Sequence, residues 1–504
     1  MENRGGHNYS YLRDGTQKKK PVSDSISANH HDPVNVRHLI NGQWVDTPDH
    51  DATIDPYRGD VVSRVAQGGP EIAERAIASA AAAAPMIAGM PGYERAEILQ
   101  RVGDLIAQRS EEIGRLMARE TGKALKDAIG EVRRSQDTMA LSAQEAIRIE
   151  GAQVPLDGSR MGAGKLAFLI RFPVGVVGAI TPFNAPFNLA CHKLGPAIGA
   201  GNAIVLKAPP QAAGVVHALA GLFVEAGVPE GVVNVVHGGA DMGRTIVCNP
   251  SVDFVTFTGS SRVGAEIKAA SGLRRVALEL GGNGWTIIHE DADIDDAAPM
   301  CARNAMRLAG QSCISVQSVL IHRSLYCGFV ERVVAEAEAL EVGDPVDPQT
   351  DVGTLIDETA AKRVAGWIDE AVGDGAKLLT GGKRTGAQLT PAVLTDVSAG
   401  MKMVSEEVFG PAVSILAYDE LDEAIAQVND GPYGLQCGIF TRSNAVTMRA
   451  IREIRCGGVI INGTSTWRTD QLAYGGIKAS GMGREGPRYA MRDMTDERLV
   501  VFNM

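Results

Sequence analysis

Long hydrophobic runs are missing from this sequence. No stretch of its 504 residues approaches eighteen uninterrupted apolar positions, so no transmembrane helix and no membrane partner are expected. A basic excess is missing too. Lys and Arg number 49 against 60 Asp and Glu, a formal net charge of −11, which argues against a nucleic-acid partner because a phosphate-binding surface needs surplus positive charge. There is no Cys-x-x-Cys. The seven cysteines (Cys191, Cys248, Cys301, Cys313, Cys327, Cys437, Cys456) are odd in number and scattered, which suggests neither a disulfide framework nor a zinc site and fits a reduced, cytoplasmic setting. His-Glu-x-x-His and Gly-x-x-x-x-Gly-Lys-Ser/Thr are both absent, so metal-dependent and nucleotide-hydrolysing chemistry find no support and no metal is expected. Aromatic residues are scarce at 5% while glycines number 58, a balance that suits an α/β protein with many short turns.

The chain is long enough for about three domains and a large core. Its first 35 residues are polar, with Lys18-Lys19-Lys20 and His30-His31 and no apolar run of signal-peptide length, and read as a disordered tail. Leu39-Ile40-Asn41-Gly42-Gln43-Trp44-Val45 has the form of a hairpin around Asn-Gly. From 71 to about 149 the period is helical, with Ile98, Leu99, Val102, Leu105 and Ile106 at three- and four-residue steps. Short apolar runs at 174–180, 202–206, 232–236 and 254–257 then alternate with helical stretches such as 213–226, which predicts a parallel sheet covered on both faces. In such sheets ligands bind beyond the carboxyl ends of the strands, where Asn184, Lys207 and Gly259-Ser260 fall. A second alternation, with a helix at 325–340 and a strand at 413–416, runs from about 285 to 440.

Two residues stand out for chemistry. Cys313 lies in Gly310-Gln311-Ser312-Cys313-Ile314, a polar, turn-like setting, and Glu279 sits between leucines immediately before Gly281-Gly282. A thiolate attacks carbonyl carbon and a separate carboxylate can serve as general base. Taken singly, Cys313 reads as a small buried hydrophobe and Glu279 as a surface charge. A carboxylate ending an apolar strand, however, is costly without a task or a partner.

Their neighbours carry a resemblance. Thr181-Pro182-Phe183-Asn184-Ala185-Pro186-Phe187-Asn188, Phe257-Thr258-Gly259-Ser260, Glu279-Leu280-Gly281-Gly282, Gly310-Gln311-Ser312-Cys313, Glu406-Glu407-Val408-Phe409-Gly410-Pro411 and Gly475-Gly476-Ile477-Lys478-Ala479-Ser480-Gly481 occur in that order. From about residue 36 onward the chain resembles the NAD(P)-dependent aldehyde dehydrogenase superfamily. The resemblance implies a Rossmann-type parallel-sheet cofactor domain (36–150 and 173–281), an α/β catalytic domain (282–486) and a small β oligomerisation flap (151–172 and 487–504), assembled as a homodimer or homotetramer.

It also implies roles. Cys313 would attack the aldehyde, Asn184 with the Cys313 backbone N–H would hold the oxyanion, and Glu279 would activate the water that hydrolyses the thioester. For NAD or NADP it points to Thr181, Pro182, Phe183, Gly259 and Ser260, with Lys207 and Glu407 at ribose hydroxyls and Phe409 beside the nicotinamide. The usual Gly-x-Gly-x-x-Gly is only approximated at 238–243. Relatives often read Lys-Pro-Ser-Glu where this chain has Lys207-Ala208-Pro209-Pro210. The acid that would repel a 2′-phosphate is missing, so dual cofactor use is expected. Gly284-Trp285 is a second departure, with no consequence derivable from sequence.

For the substrate, Ser312 and Ile314 flank the nucleophile, Leu189 and His192 would lie near the tunnel, and Arg468 in the 464–469 loop would stand near its mouth. A guanidinium there would pair with a distal anion, although a solvent-facing loop arginine is an equal reading. A small polar or anionic aldehyde is expected. A coenzyme A-acylating relative is the alternative, disfavoured because such enzymes generally lack the glutamate. A non-catalytic protein that kept the fold is a third reading, disfavoured by intact Cys313, Glu279 and Asn184.

Overall fold

The computed structural model describes residues 32–504. Most of the expected tail, including Lys18-Lys19-Lys20 and His30-His31, lies outside the described residues. Regular structure begins slightly earlier than expected, with the strand Val34–Val36 pairing parallel to Val61–Ala66.

The first large sheet has eight strands, in the order Gly481–Met482, Arg275–Glu279, Phe254–Thr258, Val176–Ile180, Ala203–Lys207, Val233–Val236, His38–Ile40, Gln43–Val45. Its five central strands run parallel. Every residue of Ala203–Lys207, Val233–Val236 and Phe254–Thr258 is buried, which is why these strands are mostly apolar with no regular alternation, their few polar residues (Lys207, Asn234, Thr256, Thr258) being buried too. The helices Pro70–Gly89, Gly92–Thr121 and Leu125–Ala146 fill the segment whose period is helical. Asn41 and Gly42 both have positive φ (52° and 71°), as the two-residue turn between His38–Ile40 and Gln43–Val45 requires. Register sets Ile180 beside Lys207 and Thr258 beside Glu279. The carboxyl ends of four strands therefore form one edge of the sheet.

The second sheet has seven strands, in the order Lys377–Thr380, Ala392–Thr395, Ala412–Tyr418, Ser318–His322, Trp285–Ile288, Gln436–Phe440, Gly458–Ile461. A third, separate sheet joins Ala152–Val154, Lys165–Pro173 and Thr495–Asn503, the last two paired antiparallel over their full length. Between the two large sheets the chain crosses through 280–284. Gly284 adopts φ +21°, and a Cβ there would sit 1.7 Å from the Ser315 carbonyl oxygen. The second departure thus has a steric reason: no side chain fits at 284.

Candidate active site

The segment carrying Cys313 is bent by its backbone. The helix Ile294–Met306 ends, and Leu308 (φ 57°), Ala309 (φ 51°) and Gly310 (φ 70°) follow in the left-handed region. For residues with a Cβ that region costs about 1–2 kcal/mol each. Gly310 admits no side chain, since a Cβ would lie 1.9 Å from the Gly410 carbonyl oxygen. A Cβ on Gly282 would likewise come within 2.4 Å of the Cys313 carbonyl oxygen. The Gly281-Gly282 turn after Glu279 therefore lets the nucleophile loop pack directly onto the carboxylate loop.

Both loops open on one cavity of about 150 Å³. Cys313, Glu279, Asn184, Leu189, Ser312, Ile314 and Arg468 share its wall with Lys123, Arg134, Arg307 and Tyr474. The Cys313 sulfur lies 3.3 Å from the Tyr474 hydroxyl. Burial pushes its thiol up to about 12, opposed by the Tyr474 hydrogen bond and by Arg468. Burial, and then the Glu485 carboxylate, push Glu279 well above the ordinary carboxylate range against Arg468, Lys193 and Arg484. Asn184 Oδ1 and Glu279 Oε2 are buried without a hydrogen-bond partner, and the Cys313 N–H has no acceptor among the described residues. Buried polar atoms rarely stay unpaired, and these face a space of substrate size.

Behind that wall lies a charge network. Lys193 donates to Thr256 (3.0 Å) and Thr258 (2.9 Å) and stands 3.6 Å from Glu485. Arg468 donates to Glu485 Oε2 at 2.7 Å and lies over the Tyr474 ring. Burial raises Glu485, but Arg468, His192 and Lys193 outweigh it and hold the carboxylate ionised. Two expectations need correction. Arg468 is not an open guanidinium at the mouth: only 9% of its side chain is exposed and its charge is committed to Glu485. His192 does not reach the cavity. It is fully buried one layer deeper, 3.0 Å from Asp470 Oδ1 and 3.3 Å from Arg468. Sequence reasoning passed over Tyr474, Lys193, Glu485, Lys123, Arg134 and Arg307. Arg134 is held by Asp470, Arg307 by Asp127 at 2.8 Å, and Lys123 by Glu131.

The residues expected to hold NAD(P) gather along the sheet edge. Thr181 follows Val176–Ile180 and its N–H reaches the Lys207 carbonyl at 3.3 Å. Gly259 and Ser260 link Phe254–Thr258 to the helix Ser261–Ala270, whose first N–H groups suit a pyrophosphate. Lys207 is buried with no ion pair among the described residues, and burial pulls its ammonium down to about 8. Among the described residues the Glu407 carboxylate accepts only the Gly282 N–H (3.1 Å), and burial raises its carboxyl to about 7. The Phe183 and Phe409 rings meet edge to face at 6.1 Å. A buried cation and a buried carboxylate, each short of partners, fit the hydroxyl groups of a dinucleotide.

Residues 44–500 match the aldehyde dehydrogenase family. The chain is 44% identical over 466 residues to a 3-sulfolactaldehyde dehydrogenase of Priestia aryabhattai, covering 92% of this chain and 97% of that one. Among solved structures it resembles aldehyde dehydrogenase 21 from Physcomitrella patens in complex with the product succinate (36% identity, TM-score 0.92, 94% of this chain and 99% of that one). It also resembles the NADP-dependent glyceraldehyde-3-phosphate dehydrogenase from Bacillus halodurans complexed with NADP (35% identity, TM-score 0.91, 93% and 99%). Both the two-sheet architecture and these likenesses lead to one assignment: the chain belongs to the aldehyde dehydrogenase family and oxidises an aldehyde to its carboxylic acid with NAD or NADP.

Proposed function

We propose that this enzyme oxidises a short aldehyde bearing a terminal anion, a sulfonate foremost, with Cys313 as nucleophile. The sulfur's electron pair forms the C–S bond as the carbonyl π pair moves onto oxygen. The Asn184 side-chain NH2 and the Cys313 N–H, which has no acceptor among the described residues, donate to that oxyanion. Bound NAD(P), held by Lys207, Glu407 and the 181–183 and 259–260 turns, supplies the hydride acceptor. Glu279 then removes a proton from the water that attacks the thioester carbon, and the Cys313 thiolate leaves.

The observation that carries the substrate reading is a pair of guanidinium groups on the outer wall of the Cys313 cavity. Arg307 has 53% of its side chain exposed and uses only Nε on Asp127, so its two terminal nitrogens remain available. Arg134 is 38% exposed with one terminal nitrogen unbound. Anion recognition therefore passes from Arg468 to these two. The sulfonated substrate named for the relative from Priestia aryabhattai agrees with this wall. The test is kcat/KM on 3-sulfolactaldehyde against lactaldehyde, for wild type and Arg307→Gln. Wild type should prefer the sulfonate by at least tenfold and the variant should lose most of that preference, about 1.4 kcal/mol or more. Equal rates on both aldehydes in wild type would sink the reading.

The same reading takes the chain as a cytoplasmic homo-oligomer. The support for assembly is the third sheet, whose Leu499 and Phe502 are more than half exposed.

A further inference from the structure

Among the described residues one side chain is hydrogen-bonded to the Cys313 sulfur, the Tyr474 hydroxyl at 3.3 Å, and that hydroxyl has no second partner. Tyr474 is buried and pinned through its backbone, its N–H donating to the Glu485 carbonyl and its carbonyl accepting the Glu485 N–H. The Arg468 guanidinium carbon lies 3.8 Å from the centre of the Tyr474 ring while the guanidinium donates to Glu485 Oε2. Arginine, phenol and thiol therefore form one stack. We propose that Tyr474 is a further catalytic residue whose hydroxyl donates to the Cys313 sulfur as that thiol loses its proton, with Arg468 as the positioning residue that holds its ring. This role rests on Cys313 being the nucleophile.

The need for such a donor follows from the surroundings. A thiolate on a buried wall is costly, and the carboxylates of Glu407 and Glu279 face it unfavourably. Arg468 is the facing cation. At the outer wall Lys123, Arg134 and Arg307 are paired with Glu131, Asp470 and Asp127 and largely cancel. Burial keeps the Tyr474 hydroxyl protonated, so it remains a donor, and a cation over the ring makes that hydroxyl a stronger one. The thiol gives its proton to water as the aldehyde arrives. The sulfur pair then forms the C–S bond, charge passes to the carbonyl oxygen, and the bond from Tyr474 relaxes.

The test is the pH dependence of iodoacetamide alkylation at Cys313 in the full-length protein, followed by mass spectrometry of the Cys313 peptide so that exposed Cys248 and Cys327 do not contribute. Tyr474→Phe keeps the ring and removes only the hydroxyl. Its midpoint should rise by about one pH unit, about tenfold less thiolate at neutral pH. Arg468→Gln should shift the midpoint the same way, and Arg468→Lys should restore part of it. Equal midpoints for wild type and Tyr474→Phe overturn the proposal. Full turnover after complete alkylation of Cys313 overturns the nucleophile assignment itself, a failure distinct from coincident midpoints.

Discussion

Glu279 is the residue whose surroundings say most about the rate. It is buried, faces Glu485, and has an oxygen with no partner. A base must be deprotonated to act, and burial raises the pH at which this one loses its proton. The kcat profile should therefore level off only at a pH well above where an ordinary carboxylate would have done so, and fall toward acid. Glu279→Gln should give one burst of NAD(P)H and then stall, with the thioester on Cys313 visible by mass spectrometry. Unchanged steady-state turnover with no trapped adduct would remove Glu279 from the water step. Cofactor choice is likewise a matter of single residues. Lys207 has no ion pair among the described residues, and the neighbouring Pro210 carries no acid to repel a 2′-phosphate. NADP should support turnover, and Pro210→Glu should shift preference toward NAD by about fivefold or more, since a close charge pair near a surface is worth on the order of 1–4 kcal/mol before screening. Indifference of the wild-type enzyme to NADP would place the discrimination elsewhere. That Cys313, Glu279 and Asn184 meet at one cavity was legible because each sits in a local motif of one family. Tyr474 and Glu485 were not: they reach the site from 161 residues beyond Cys313 and 206 beyond Glu279, and in sequence they look like an ordinary loop aromatic and a surface acid. His192 misled for a geometric reason. Three residues after Leu189 it shares that helical face, but lies one turn deeper, where Asp470 captures it.

At the scale of elements, the turn from 308 to 310 is where backbone strain and chemistry meet. Two residues with a Cβ and one glycine are held left-handed so that Cys313 faces the cavity. Gly310→Ala would add a left-handed penalty of about 1 kcal/mol and an overpacking penalty of about 1–3 kcal/mol against the Gly410 carbonyl. The expected result is a lower denaturation midpoint together with a large loss of kcat, while NAD(P) affinity is retained because the cofactor edge is built by other strands. A variant of unchanged stability and activity would show that the turn relaxes freely. Local apolar runs revealed the parallel strands to within a residue or two, because burial on both faces leaves few polar interruptions. Strand order was not legible. Val233–Val236 pairs with His38–Ile40, nearly two hundred residues earlier, and Arg275–Glu279 takes Gly481–Met482 as its outer neighbour. Neither pairing leaves a trace in local periodicity.

On the scale of the whole molecule, the third sheet is too thin to account for its own side chains. Lys165–Pro173 and Thr495–Asn503 alternate apolar residues on both faces: Phe168 and Phe502 stack at 5.9 Å on one, and Leu169 is paired with Leu499 on the other. Both faces keep exposed apolar residues, Phe502 on one and Leu499 on the other, so each calls for a partner surface. A second copy of this chain is the simplest one, since a symmetric contact repeats the same patch on both sides. Charge at the centre of such a patch is costly to bury, so Leu499→Glu combined with Phe502→Glu should lower the solution mass measured by light scattering or sedimentation. The Cys313 cavity is assembled from the two large sheets and takes no residue from the third, so the dissociated variant should still alkylate at Cys313 and bind NAD(P). If the variant keeps the wild-type mass, the exposed apolar residues of the third sheet are not the assembly surface, and another face of the chain must carry it.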